Sequence, residues 1–144
     1  MQPSRGATLK GVITISRMAV NLVFWVPILL VVALAKLLIP LAAWRRWTSA
    51  LMIWIAQAWI SCNGAIFSLM GALRLEVDGV EGLDPRSWYL VLSNHQSWVD
   101  ILVLQKAFNR RIPFLKFFLK QELIWVPLLG LAWWALDFPF MKRH

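Results

Sequence analysis

Residues 18–35 carry no charged side chain and residues 47–73 carry none either, so the first half of the chain reads as two apolar segments separated by Lys36, Arg45 and Arg46. At 1.5 Å per residue the first makes about 27 Å of helix, close to the hydrocarbon thickness of a bilayer. It is too long for a cleaved leader, contains Pro27 and continues past Lys36 through residues 37–44 with no convincing small-residue cleavage site, which predicts a retained anchor. In the second segment Gln57, Ser61, Gly64 and Ser68 recur at spacings of four, three and four. They share one helix face and predict a packing seam. Arg45 and Arg46 would be carried across the membrane by a simple hairpin, whereas a shallow, re-entrant or interfacial helix pair avoids that conflict. With two crossings or none, the chain beyond the pair lies on the side of the N-terminus, and the basic residues Arg5, Lys10 and Arg17 predict that this side is the cytoplasm.

At Arg74 the pattern changes, and four of the seven acids fall between Glu76 and Asp84. We therefore divide the chain into a membrane-anchoring helical segment, 1–73, and a second domain, 74–144. Residues 75–80 alternate apolar and polar side chains and contain Gly79, predicting a half-buried strand; residues 81–87 are a loop. The aromatic and aliphatic run 88–92 predicts a short buried strand, followed by a turn at His95 and a helix ending near Phe108. Asn109, Arg110 and Arg111 break that helix. Residues 113–119 predict a third strand, 120–123 the start of another helix interrupted around Pro127 and Gly130, and 137–141 a last strand. Strands alternating with helices predict an α/β domain.

Composition sharpens the first half more than the second. Of 144 residues 60% are hydrophobic and only 15% charged, with a mean hydropathy of +0.64, and ten tryptophans suit the headgroup level of a bilayer. The net charge of +8 comes from basic residues scattered among apolar runs rather than gathered on a polar surface, which argues against nucleic acid and for attraction to anionic lipid. Lys106, Arg110, Arg111 and Lys116 are assigned to that lipid interface. The single cysteine, Cys62, allows no intramolecular disulfide and suggests no metal site.

The candidate chemistry lies in the turn after residue 92, which reads Ser93-Asn94-His95-Gln96-Ser97-Trp98-Val99-Asp100. On a continuous helix His95 and Asp100 would point roughly 140° apart. If Ser97 instead caps a helix beginning at Trp98, Asp100 falls in the first turn, points back toward the loop, and the two can touch. A carboxylate on one ring nitrogen orients a histidine whose other nitrogen takes a proton from a hydroxyl. Two plainer roles stand beside this one: Asp100 as a complement to the helix dipole and His95 as an ordinary turn residue. Ser97 lies in no G-x-S-x-G elbow, so a capping role explains it better than a nucleophilic one.

Residues 94–100, NHQSWVD, resemble the N-H-x-x-x-x-D motif of the glycerolipid acyltransferases, the family of 1-acyl-glycerol-3-phosphate acyltransferases. Residues 120–143, KQELIWVPLLGLAWWALDFPFMKR, resemble that family's next block, with Lys, Glu-Leu, Pro, Gly and a closing Arg at similar separations. Within the family the chain is most similar to bacterial YihG-type probable acyltransferases. The resemblance implies His95 as general base, Asp100 as its orienting acid, Asn94 and Ser97 as motif support, and Arg143 and Lys120 as contacts to the acceptor phosphate. It implies transfer of an acyl group from acyl-CoA or acyl-carrier protein, as co-substrate rather than cofactor, to the free hydroxyl of a lysophospholipid at the cytoplasmic face of a bacterial inner membrane. Lysocardiolipin and lysophosphatidylglycerol are alternative acceptors, and a catalytically silent membrane-anchored fragment is the non-enzymatic alternative. Trp125, Trp133 and Trp134 are read as packing against the N-terminal helices or lining an acyl channel. The family continues past its second block to a Glu-Gly-Thr/Ser-Arg stretch and a proline-containing block, absent from these 144 residues, so the α/β domain is expected to be truncated.

Overall fold

A computed structural model describes residues 5–71, 75–94 and 96–142. Helix α1 (Arg5–Leu38) and helix α2 (Ala42–Met70) account for the apolar half, joined by the three residues 39–41. Both are long and apolar enough to cross a membrane by length and composition, and they are consistent with membrane association. There follow α3 (Trp98–Phe108), strand β1 (Leu119–Lys120), a 3-10 helix (Gln121–Trp125), α4 (Leu129–Ala135) and strand β2 (Phe140–Met141).

The chain forms two compact units, each combining part of the helix pair with part of the later chain. The first comprises Met1–Asn21 and Trp59–Leu115. Here the Asn21 Nδ2 donates to Asn63 Oδ1 at 2.8 Å and to the Trp59 carbonyl at 3.2 Å, tying α1 to α2 through groups that would otherwise be costly in an apolar setting. Asn63 is only 5% exposed. The stripe of small and polar residues on α2 is a seam, as its spacing predicts, and α3 lies on it: Lys106 Nζ donates to Ser68 Oγ at 2.8 Å and Asn109 Nδ2 to Ser61 Oγ at 2.9 Å.

The second unit comprises Leu22–Ala58 and Lys116–His144. Its buried side chains include Val26, Leu29, Met52, Ile55, Leu119, Ala132, Leu136 and Phe138. Trp44 Nε1 bridges the connected end of the helix pair by donating to the Ala35 carbonyl at 2.9 Å, and the Thr48 hydroxyl is buried by donating to the Trp44 carbonyl of its own helix at 2.8 Å. Strands β1 and β2 pair in parallel, Leu119 opposite Phe140 and Lys120 opposite Met141. Between them the chain turns at Leu128, whose φ of 64° is unusual for a branched side chain. The Leu129 N–H donates back to the Pro127 carbonyl at 2.7 Å, a three-residue turn that starts α4 abruptly. Gly130 then packs so closely on the 3-10 helix that any Cβ would collide with the Ile124 carbonyl.

Three predicted strands differ from the structure. Residues 75–80 and 88–92 are irregular, and of 113–119 only Leu119 enters a strand. The run 88–92 is also not buried: Trp88 is 96% and Leu92 85% exposed. Alternation and β-propensity describe how a segment would sit on a pleated surface, but a strand exists only when a neighbour completes its backbone hydrogen bonds. Among the described residues 75–80 and 88–92 enter no β-ladder, and 113–119 enters one only at Leu119. The described residues thus form four α-helices and one two-stranded parallel sheet, less sheet than the predicted α/β domain calls for. Residues 72–74, the predicted domain boundary, lie outside the described residues.

Candidate active site

Helix α3 begins at Trp98, with Ser97 at its N-cap in extended conformation, φ −151° and ψ 163°. The reason is local: a serine, then an acid three residues on, then the apolar run Ile101-Leu102-Val103-Leu104 spell an N-terminus. Asp100 Oδ2 accepts the Ser97 N–H at 2.7 Å and the Gln96 N–H at 2.6 Å, while the Ser97 carbonyl accepts the Asp100 N–H at 3.1 Å. The carboxylate is therefore folded back from the first helical turn onto the loop, held against the backbone of the residue that follows His95. Negative charge at a helix N-terminus is favoured there as well. Asp100 is half-buried, whereas Asn94, Gln96, Ser97, Trp98 and Val99 are exposed, so this side of the turn is open. His95 itself lies outside the described residues.

The other implied site residues belong to the second unit. Lys120 is exposed at the end of β1, opposite Met141. Met141 stands two residues before Arg143 in sequence, and Arg143 lies outside the described residues. The parallel register thus brings Lys120 beside the stretch that leads into Arg143. The four basic residues assigned to a lipid interface do not act alike. Lys106 is engaged with α2, Lys116 Nζ donates to the Asp137 carbonyl at 3.2 Å, and Arg110 and Arg111 are exposed after the end of α3. Of the tryptophans, Trp125 is 84% exposed and Trp134 is exposed too, while Trp133 is half-buried. Sequence reading assigned Lys106 to the lipid interface and missed its engagement with α2, because nothing in the sequence pairs it with residues some forty positions earlier.

Residues 74–144, just under half of the chain, match the family model described as Acyltransferase. Over 72 residues it is 36% identical to 1-acyl-sn-glycerol-3-phosphate acyltransferase alpha of Mus musculus, of Homo sapiens and of Bos taurus. The match takes in 49% of this chain and 24% of each relative, so the chain spans about a quarter of the curated relatives it resembles. No solved structure matches the chain significantly.

Proposed function

We propose that the protein transfers a fatty acyl group from a thioester to the free hydroxyl of a lysophospholipid of the lysophosphatidic acid type, with acyl-CoA or acyl-carrier protein as donor. The observation that carries this reading is the double hydrogen bond that turns the Asp100 carboxylate back onto the His95 loop. From there Asp100 orients the imidazole and favours its charged form, and His95 takes the proton of the acceptor hydroxyl as that oxygen attacks the thioester carbonyl. When the tetrahedral adduct collapses, the C–S bond breaks and the imidazolium returns the proton to the departing sulfur. The step needs a base and a positioned acceptor and calls for no metal or prosthetic group. Lys120 and Arg143 are assigned to the acceptor phosphate, Arg143 through the planar donors of its guanidinium. Asn94 and Ser97 support the turn.

The helix pair is assigned to the membrane, with residues 74–144 on its cytoplasmic side and, from the strings NHQSWVDI and DFPFMKR, a bacterial inner membrane as the setting. An in-plane or re-entrant hairpin is favoured over a crossing. Exposed apolar side chains run along α1 from Leu9 to Leu38, about 44 Å of rise against a hydrocarbon core of about 30 Å. The connection is apolar and exposed as well, at Ile39 and Leu41. Close to it, Lys36 pairs with Asp137 of the acyltransferase-family segment at 3.8 Å, which a remote transmembrane tip could not do.

The test is thioester consumption by the full-length protein in membrane vesicles with lysophosphatidic acid, comparing it with His95→Ala and Asp100→Asn. Removing the base is expected to cost about two to four orders of magnitude, and the acid less. Wild-type turnover in His95→Ala would remove His95 from the chemistry, and no turnover in the unmodified protein would leave a silent membrane-anchored protein. Faster turnover of lysocardiolipin or lysophosphatidylglycerol would keep the chemistry and change the acceptor.

A further inference from the structure

Helix α3 carries the candidate site at its N-terminal end and is held at its C-terminal end. None of its residues is fully buried. What fixes it is a small set of contacts on the α2 seam. The Lys106 stem lies over Gly64, its Cγ and Cδ 3.5 Å from where a Cβ would stand, and its ammonium donates to Ser68 Oγ at 2.8 Å. Ser68 is itself anchored, its hydroxyl bonded to the Gly64 carbonyl at 3.0 Å. Just beyond the helix end, Asn109 Nδ2 donates to Ser61 Oγ at 2.9 Å, two turns along the same face of α2. The missing side chain at Gly64 is what lets the lysine stem lie flat, and the two hydrogen bonds at its flanks fix the register of α3 along α2.

We propose that Lys106, seated on Gly64 and Ser68, is a positioning residue that sets where the His95–Asp100 turn stands relative to the membrane helix α2, and hence its access to a lipid acceptor in the bilayer. The inference rests on the acyl-transfer reading above. From Lys106 to the N-cap at Ser97 the helix rises about 13 Å, so a small tilt at the seam becomes a displacement of ångströms at the turn. Displacements of that size change how closely the turn approaches an acceptor held in the bilayer. Lys106 touches neither acceptor nor donor; it acts through the helix it holds.

The full-length protein in anionic vesicles provides the test, with Lys106→Met removing the ammonium but keeping a stem, Lys106→Arg restoring a donor, and Gly64→Leu filling the seam. The expected result is a KM for vesicle-borne lysophosphatidic acid raised about tenfold in Lys106→Met and Gly64→Leu, with kcat changed less than twofold and Lys106→Arg recovering most of the loss. Hydrogen exchange of the α3 amides is read in parallel and should lose protection in the first two variants only. Unchanged KM with unchanged exchange would overturn the proposal, as would a fall in kcat at constant KM, which marks a merely structural role. If the unmodified protein shows no turnover the acyl-transfer reading fails instead, and the exchange data alone then decide whether the lysine holds α3.

Discussion

At the scale of single residues, the question is whether Asp100 only caps a helix. Its two backbone hydrogen bonds would be explained by capping alone, since an acid at the third helical position answers donors that the helix leaves open. Asp100→Glu separates the roles. Glutamate is the usual partner in such a cap, so stability should change by no more than about 0.5 kcal/mol, but the extra methylene moves the carboxylate relative to His95. Acyl transfer is expected to fall about tenfold or more while thermal unfolding barely shifts. Equal and small effects on both would leave Asp100 as a cap and nothing else. The cap was readable from Ser97 and Asp100 because capping is a matter of three or four consecutive residues. The seat of Lys106 was not, because its partners are on another helix.

Among the elements, the pairing of the 3-10 helix with α4 in the second unit depends on Gly130. A methyl group there has no room beside the Ile124 carbonyl, which belongs to backbone and cannot swing aside. Gly130→Ala should therefore cost about 1–3 kcal/mol, read as a lowered unfolding temperature in detergent. Gly82→Ala, at a position where a Cβ meets nothing within 4 Å, should leave that temperature unchanged. A neutral Gly130→Ala would mean that this pair of elements adjusts freely. Because the pair connects β1 to β2, its distortion is expected to move Lys120 as well. The helices were legible in the sequence at this scale: α3 runs from Trp98 to Phe108, as its cap and its apolar run predict. Of the strands only the last was, β2 at Phe140–Met141 falling within the strand predicted at 137–141.

For the molecule as a whole, the arrangement of the apolar half relative to the membrane has a direct readout. In a Cys62→Ser background, a cysteine placed at Leu41 lies in the exposed connection between α1 and α2. An in-plane or re-entrant hairpin keeps it in lipid, so a membrane-impermeant maleimide should not label it from either face. Labelling from the face opposite the acyltransferase-family segment would mean that the pair crosses the bilayer. What the sequence by itself determined are the features that depend on neighbours in the chain: two long apolar helices, the capped start of α3 and the seam of small residues on α2. What only the tertiary structure decided are the features that depend on residues far apart: α3 lying on that seam through Lys106, the register of Lys120 against Met141, and the failure of residues 75–80 and 88–92 to become strands. The physical reason is that a helix satisfies its backbone within its own turns, whereas a strand or a docked side chain is complete only when a distant partner is in place.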